Sequence, residues 1–125
     1  MRVLIVDDSR AMRMIVGRTL RQAGFKTCAV EEAGDGREAL QAIQTSAPDL
    51  VLSDWNMPNM TGIELLQTLK QQGSPVKFGF VTSEGTPEMR ERALAAGALF
   101  LISKPFTAES FESALGGLLS RGEPA

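Results

Sequence analysis

Short apolar runs alternate with amphipathic stretches five times along this chain, and such an alternation is how repeated β–α units read in sequence. Residues 2–7 (RVLIVD) form the first run. Residues 9–23 follow, with Met12, Ile15, Val16, Leu20 and Ala23 at helical spacing and Gly24 as the stop. Residues 27–33 (TCAVEEA) predict a second, more polar strand, which places it at a sheet edge. An Asp35-Gly36 turn signal then leads into a helix with Ala39, Leu40 and Ile43 inward, ended by Pro48. The third strand, 49–54 (DLVLSD), is nearly all apolar and should be covered on both faces. After the loop WNMPNMTG, a third helix is marked by Ile63, Leu65, Leu66 and Leu69. Residues 76–82 (VKFGFVT) give the fourth strand. Its helix is announced by Thr86 as N-cap, Pro87 in the first turn, Glu88 matched to the helix dipole and Gly97 at the end. Residues 99–102 (LFLI) give the fifth strand, and Thr107 caps a last helix running through Phe111, Leu115 and Leu118.

Strands joined by single helices run parallel, and right-handed crossovers cover the sheet on both faces, so an open, doubly wound α/β sheet is expected. The 125 residues suit one domain, taken as residues 1–119, followed by a polar tail at 120–125. Composition removes several kinds of chemistry. No histidine is present, which excludes Ser-His-Asp and Cys-His catalysis and histidine-ligated zinc. Cys28 is the only cysteine, so an internal disulfide is impossible and a cytoplasmic setting is the simplest expectation. With 13 Lys plus Arg against 15 Asp plus Glu and no basic run, nucleic acid is not an expected partner. No apolar stretch approaches the roughly 18 residues of a membrane span, so no membrane partner is expected either.

In an open parallel sheet, ligands bind outside the carboxyl ends of the strands, where the strand order reverses. Those ends carry Asp7 and Asp8 on the first strand, Asp54 on the third and Thr82 on the fourth, with Lys104 two residues past the fifth. Acids and hydroxyls are common at strand ends as caps and turns, but the full set converges on one crevice with complementary charges. Three crowded carboxylates repel, and Mg²⁺ is the cation that suits hard oxygen donors without histidine. The expected ligands are Asp8, Asp54 and the backbone carbonyl of Asn56, with Asp7 acting partly through water. Lys104 can pair with Asp54 or with a phosphoryl oxygen, and Thr82 can donate its hydroxyl to another. Metal, amine and hydroxyl together suit a transferring phosphoryl group, for which Asp54 is the natural nucleophile.

Asp7-Asp8, the run Asp54-Trp55-Asn56-Met57-Pro58-Asn59-Met60-Thr61-Gly62, Thr82 and Lys104-Pro105-Phe106 resemble the receiver domains of bacterial two-component response regulators, above all their CheY-like chemotaxis members. The likeness spans residues 2 to about 119. It implies the flavodoxin-like (βα)5 fold with strand order 2-1-3-4-5. It also implies that a sensor histidine kinase passes a phosphoryl group to Asp54 in a Mg²⁺-dependent step, shifting the domain from an inactive to an active population. The domain is then a signalling switch rather than an enzyme, and a monomer. The family binds its targets through the fourth helix, fifth strand and fifth helix, here roughly residues 86–119, and a flagellar motor switch is the leading target. A phosphorelay intermediate, or a receiver cut from a larger regulator, is the alternative. The resemblance further implies a cis Lys104-Pro105 bond, and control of hydrolytic water by Asn56 and Glu84. The family's switch links Thr82 to an aromatic residue three positions before the lysine. Here that position is Leu101, and Phe100, one residue earlier, belongs to the opposite strand face.

Rival readings fit less of the pattern. Haloacid-dehalogenase-type phosphatases share the aspartyl nucleophile, hydroxyl, lysine and Mg²⁺, but need a second acid where this chain has Asn56. An FMN module would meet repulsion from Asp7-Asp8 at its phosphate, and a phosphorylation-independent binding module would not need the acid, hydroxyl and lysine set. Trp55 reads either as exposed-loop packing or as a neighbour of the phosphorylation site. Met12, Met14, Met57 and Met60 read as core or loop packing, and Arg10, Arg13, Arg18 and Arg21 as a solvated helix face.

Overall fold

Side chains that alternate along the first strand set up both layers of the molecule. In the computed structural model, which describes residues 2–117, strand β1 (Arg2–Val6) sends Val3 and Ile5 into one apolar cluster and Leu4 and Val6 into the other. The same division recurs in β3 (Leu50–Ser53), with Leu50 and Leu52 on one side and Val51 on the other. In β4 (Lys77–Thr82), Phe78 and Phe80 oppose Val81. Both faces of the sheet are therefore apolar, and each needs its own helices. Helices α1 (Arg10–Gln22) and α5 (Ala108–Leu115) cover one face through Val16, Leu20, Phe111 and Leu115. Helices α2 (Gly36–Thr45), α3 (Gly62–Gln71) and α4 (Pro87–Ala95) cover the other through Ala39, Ile43, Leu66, Leu69 and Ala93. Complete burial of each large apolar side chain contributes about 1.5–3 kcal/mol, and Leu4, Ile5, Leu20, Phe25, Leu65, Phe80 and Phe111 are all buried to that degree.

The sheet is parallel throughout, in the order β2-β1-β3-β4-β5, with β2 at Ala29–Ala33 and β5 at Leu101–Ser103. The expected doubly wound fold and its strand order are both borne out. The polar second strand is at the edge, and the third is buried on both faces. Regular pairing in β5 begins at Leu101 rather than 99, although Leu99 N–H still donates to the Phe78 carbonyl at 2.8 Å. Met14 and Ile15 also differ from expectation. Ile15 was expected inward, yet it is 43% exposed and Met14 is 57% exposed, because Val16 and Leu20 already fill the narrow contact of α1 with β1. Leu118 and the tail at 120–125 lie outside the described residues.

Helix starts are fixed by side chains that take otherwise unpaired backbone N–H groups. Thr86 and Thr107 cap α4 and α5 as expected, Ser9 caps α1, and Thr61 forms a capping box with Glu64 on α3. Asp35 caps α2 by accepting from Glu38 N–H at 2.8 Å, and its other oxygen accepts from Asn59 Nδ2 at 2.7 Å. Those bonds hold the Asp35 carboxyl below its ordinary value. The start of α2 is thereby fastened to the loop that follows β3.

Gly62 shows how closely that loop is packed. A Cβ at Gly62 would collide with the Asp54 carbonyl oxygen and lie 2.8 Å from the Phe80 ring, so α3 can begin against the end of β3 only with glycine there. Gly62→Ala is expected to cost about 1–3 kcal/mol, read as a lower urea midpoint at unchanged m-value. Asp35→Ala removes a cap and is expected to cost about 1–2 kcal/mol in the same measurement. The Asp35 carboxyl is depressed, so this contribution is present above about pH 4 and lost as pH falls through its folded value.

Candidate functional site

Parallel register brings the predicted strand ends to one edge. Val6 pairs with Ser53, Ser53 with Phe80, and Thr82 with Ser103, so Asp7, Asp54, Thr82 and Lys104 follow one another across four neighbouring strands. From β1 the chain goes outward to β2 on one side and to β3 on the other. The acids thus sit where the sheet order reverses. Backbone bonds lock the edge together: Asp54 N–H donates to the Val6 carbonyl at 2.8 Å, and Lys104 N–H to the Thr82 carbonyl at 2.8 Å.

Asp7, Asp8 and Asp54 each offer an oxygen within 4.8 Å of the others. Asp7 is buried, Asp54 half-buried and Asp8 exposed, a gradation from protein to solvent across one cluster. Burial is the main force raising the Asp54 carboxyl above its ordinary value. Lys104 opposes the rise, Asp7 adds to it, the Trp55 N–H opposes it and Asp8 adds to it. Lys104 Nζ donates to Asp7 Oδ2 at 3.1 Å and stands 3.9 Å from Asp54 Oδ2. The amine's first partner is therefore Asp7 rather than the expected Asp54. The Asp7 side chain is the more deeply buried of the two, 6% exposed against 13%, and its charge has the greater need of an internal counterion. A compact set of hard oxygens with one cation alongside suits a hard divalent cation such as Mg²⁺, which Asp7, Asp8 and Asp54 could hold.

Thr82 is completely buried, and its Oγ1 accepts from Glu84 N–H at 3.3 Å. Glu84 also receives the Asn56 Nδ2 at 3.2 Å, so these two residues bridge the loops after β3 and β4. The Lys104-Pro105 bond is cis. Trp55 is not exposed-loop packing: it is 6% exposed, with its ring 4.7 Å from Phe80 and the Arg92 guanidinium 5.7 Å above it. The Trp55 backbone N–H donates to Asp54 Oδ1 at 2.8 Å, so the residue is bonded to the Asp54 carboxylate itself. Among the arginines read as solvated, Arg10, Arg18 and Arg21 are exposed, but Arg13 folds back onto the Asp7 carbonyl. Sequence reasoning missed it, because a helical arginine reads the same whether it points to water or to a backbone oxygen.

Comparisons with known proteins agree with this fold. The family profile described as "Response regulator receiver domain" matches residues 3–116. A probable chemotaxis protein CheY of Rhizobium etli is 36% identical over 116 residues, covering 91% of this chain and 88% of the relative. Chemotaxis protein CheY-3 of Vibrio cholerae is 37% identical over 123 residues, covering 97% of this chain and 93% of the relative. The solved structure of Vibrio cholerae chemotaxis protein CheY4 superposes with a TM-score of 0.81 at 38% identity, over 94% of this chain and 98% of that one.

The sign of the Asp54 shift gives a stability test. A carboxyl raised in the folded state binds protons more readily there than in the unfolded chain, so its ionised form opposes folding as pH rises through that window. Without divalent cations at neutral pH, Asp54→Asn is expected to raise the thermal midpoint by a few degrees. The gain should shrink as pH falls toward 4, and added Mg²⁺ should stabilise the native chain more than the variant.

Proposed function

The chain belongs to the response regulator receiver family, and from that premise we propose that it is a phospho-acceptor switch. Asp54 takes a phosphoryl group from the histidine of a sensor kinase in a Mg²⁺-dependent step and thereby changes which protein the domain binds. The observation that carries this reading is the juxtaposition of Asp7, Asp8 and Asp54 with Lys104 on the reversal edge of the sheet.

In the transfer, an Asp54 carboxylate oxygen attacks phosphorus as the histidine N–P bond breaks, and the imidazole leaves. Asp7, Asp8 and Asp54 would hold Mg²⁺, with the carbonyl of Asn56 completing the protein ligands, and the bound metal would neutralise charge on the phosphoryl oxygens. Lys104 lies within side-chain reach of both Asp7 and Asp54, and can move from the first toward a phosphoryl oxygen on the second. Thr82 supplies a hydroxyl once its Oγ1 turns from Glu84. Asn56 and Glu84, joined across the loops after β3 and β4, control the access of hydrolytic water to Asp54 in this reading.

Chemotaxis is the process we infer, since the relatives above carry that description. The kinase and a phosphorylation-dependent target, such as a flagellar motor switch, are the partners, met in the cytoplasm by a monomer. Residues 86–119 form the target face. Their described part carries exposed Leu94 and Leu99 and a groove of about 500 Å³ beside Arg90, Leu101 and Ser110. Among the described residues no helix is long and apolar enough to cross a membrane.

The test uses a small acyl-phosphate donor with Mg²⁺, reading intact mass and Trp55 emission together. The native chain is expected to gain one phosphoryl group, Asp54→Asn none, and the chelated native chain none. Lys104→Ala should still bind Mg²⁺ yet accept phosphate at least tenfold more slowly. A native chain that takes up nothing with Mg²⁺ present would sink the switch and leave a phosphorylation-independent binding module.

A further inference from the structure

Asp7 and Asp8 are adjacent in the chain but are held very differently. Every oxygen of Asp7 is engaged: Oδ2 accepts from Lys104, Oδ1 from Ser9 N–H at 2.9 Å, and the carbonyl from Arg13 Nη1 at 2.6 Å. Asp8 is exposed, and its carboxylate accepts no protein hydrogen bond among the described residues. What aims Asp8 is therefore the peptide that joins it to Asp7. The oxygen of that peptide is the one that Arg13 holds.

Arg13 is itself held. Its Nε donates to Glu32 Oε1 at 2.8 Å, and its side chain is only 16% exposed although α1 faces solvent around it. A planar guanidinium gripped at Nε by one residue has little freedom in where its Nη1 points. Glu32, on edge strand β2, thus sets Arg13, and Arg13 sets the Asp7-Asp8 peptide.

We propose that Arg13, steadied by Glu32, is a positioning residue that aims Asp7 and Asp8 at the bound cation. The assignment rests on the metal-dependent reading above and goes beyond it. Its sign makes it testable. Arg13 is a cation close to a cation site, so Coulomb repulsion alone would make its removal tighten Mg²⁺ binding. Positioning demands the opposite, because a ligand pair freed to wander binds more weakly. Partners that orient metal ligands typically account for 10–100-fold in affinity.

Mg²⁺ binding to the full chain, without a phosphoryl donor, would be followed by calorimetry and by Trp55 emission in four variants. Arg13→Met is expected to weaken binding about tenfold, the lower end of that range. Glu32→Ala should weaken it less, and Glu32→Gln, which loses the same charge but keeps an acceptor for Nε, should stay close to native. Glu31→Ala breaks the neighbouring ion pair to Arg2, 2.7 Å long on the same strand, and should leave Mg²⁺ affinity unchanged. Unchanged or tighter binding in Arg13→Met overturns the proposal, as does equal weakening in Glu32→Gln and Glu32→Ala. If Arg13→Met does not fold, the exposed Glu32 pair decides alone. A native chain that binds no Mg²⁺ overturns the metal-dependent reading and this role with it, whereas native binding with an indifferent Arg13→Met overturns only the role of Arg13.

Discussion

Negative charge crowded at the reversal point of a parallel sheet is the constraint around which the molecule is organised. Three carboxylates share one edge, and removing them from water is unfavourable unless a cation shares the space. Lys104 supplies one cation from the far end of the sequence, 97 residues from the Asp7 it bonds. The pairing works only if β1, β3, β4 and β5 lie in register, so the site and the sheet order depend on each other. Burial first, with Asp7 and Asp8 adding to it against Lys104, raises the Asp54 carboxyl, and a cation entering the cluster would relieve that rise.

The surroundings of Asp54 extend the site toward one face of the protein. Trp55 ties the Asp54 carboxylate, through its backbone N–H, to the aromatic cluster of Phe80 and Phe78, and Arg92 of α4 lies over its indole. Leu101 is buried in the same cluster, while Phe100 packs against Gly79 on the other side of the sheet. Position 101, three residues before Lys104, is thus filled by an aliphatic side chain already turned inward. Trp55 instead bonds Asp54 through its backbone N–H and meets Arg92 of α4 through its ring.

Much of this was legible in the sequence because its signals are local. The ends of β1, β3, β4 and β5 were marked by a change from apolar to acidic or hydroxyl residues, and Thr86 and Thr107 announced their helices because capping needs only a neighbouring backbone N–H. The converging set Asp7, Asp8, Asp54, Thr82 and Lys104 followed once the strands were taken as parallel. Signals that depend on neighbours distant in the chain were misread or missed. Ile15 has helical spacing but no facing partner left to cover it, Trp55 sits in a polar loop yet is sealed by Phe80, and Lys104 chose Asp7 over Asp54. Arg13 gave no sequence signal at all.

The sequence by itself determined the layered α/β fold, the five strand ends and the residue types available for chemistry. Periodicity and capping are properties of the chain within a few residues, and they survive translation into one dimension. Tertiary structure alone decided which carboxylate holds the lysine, how far Asp54 is pushed from its ordinary protonation, and that Arg13 and Glu32 stand behind the acidic loop. Those outcomes turn on distances and burial between segments far apart in sequence. Electrostatic energies change steeply with both, and no pattern of neighbouring residues encodes either.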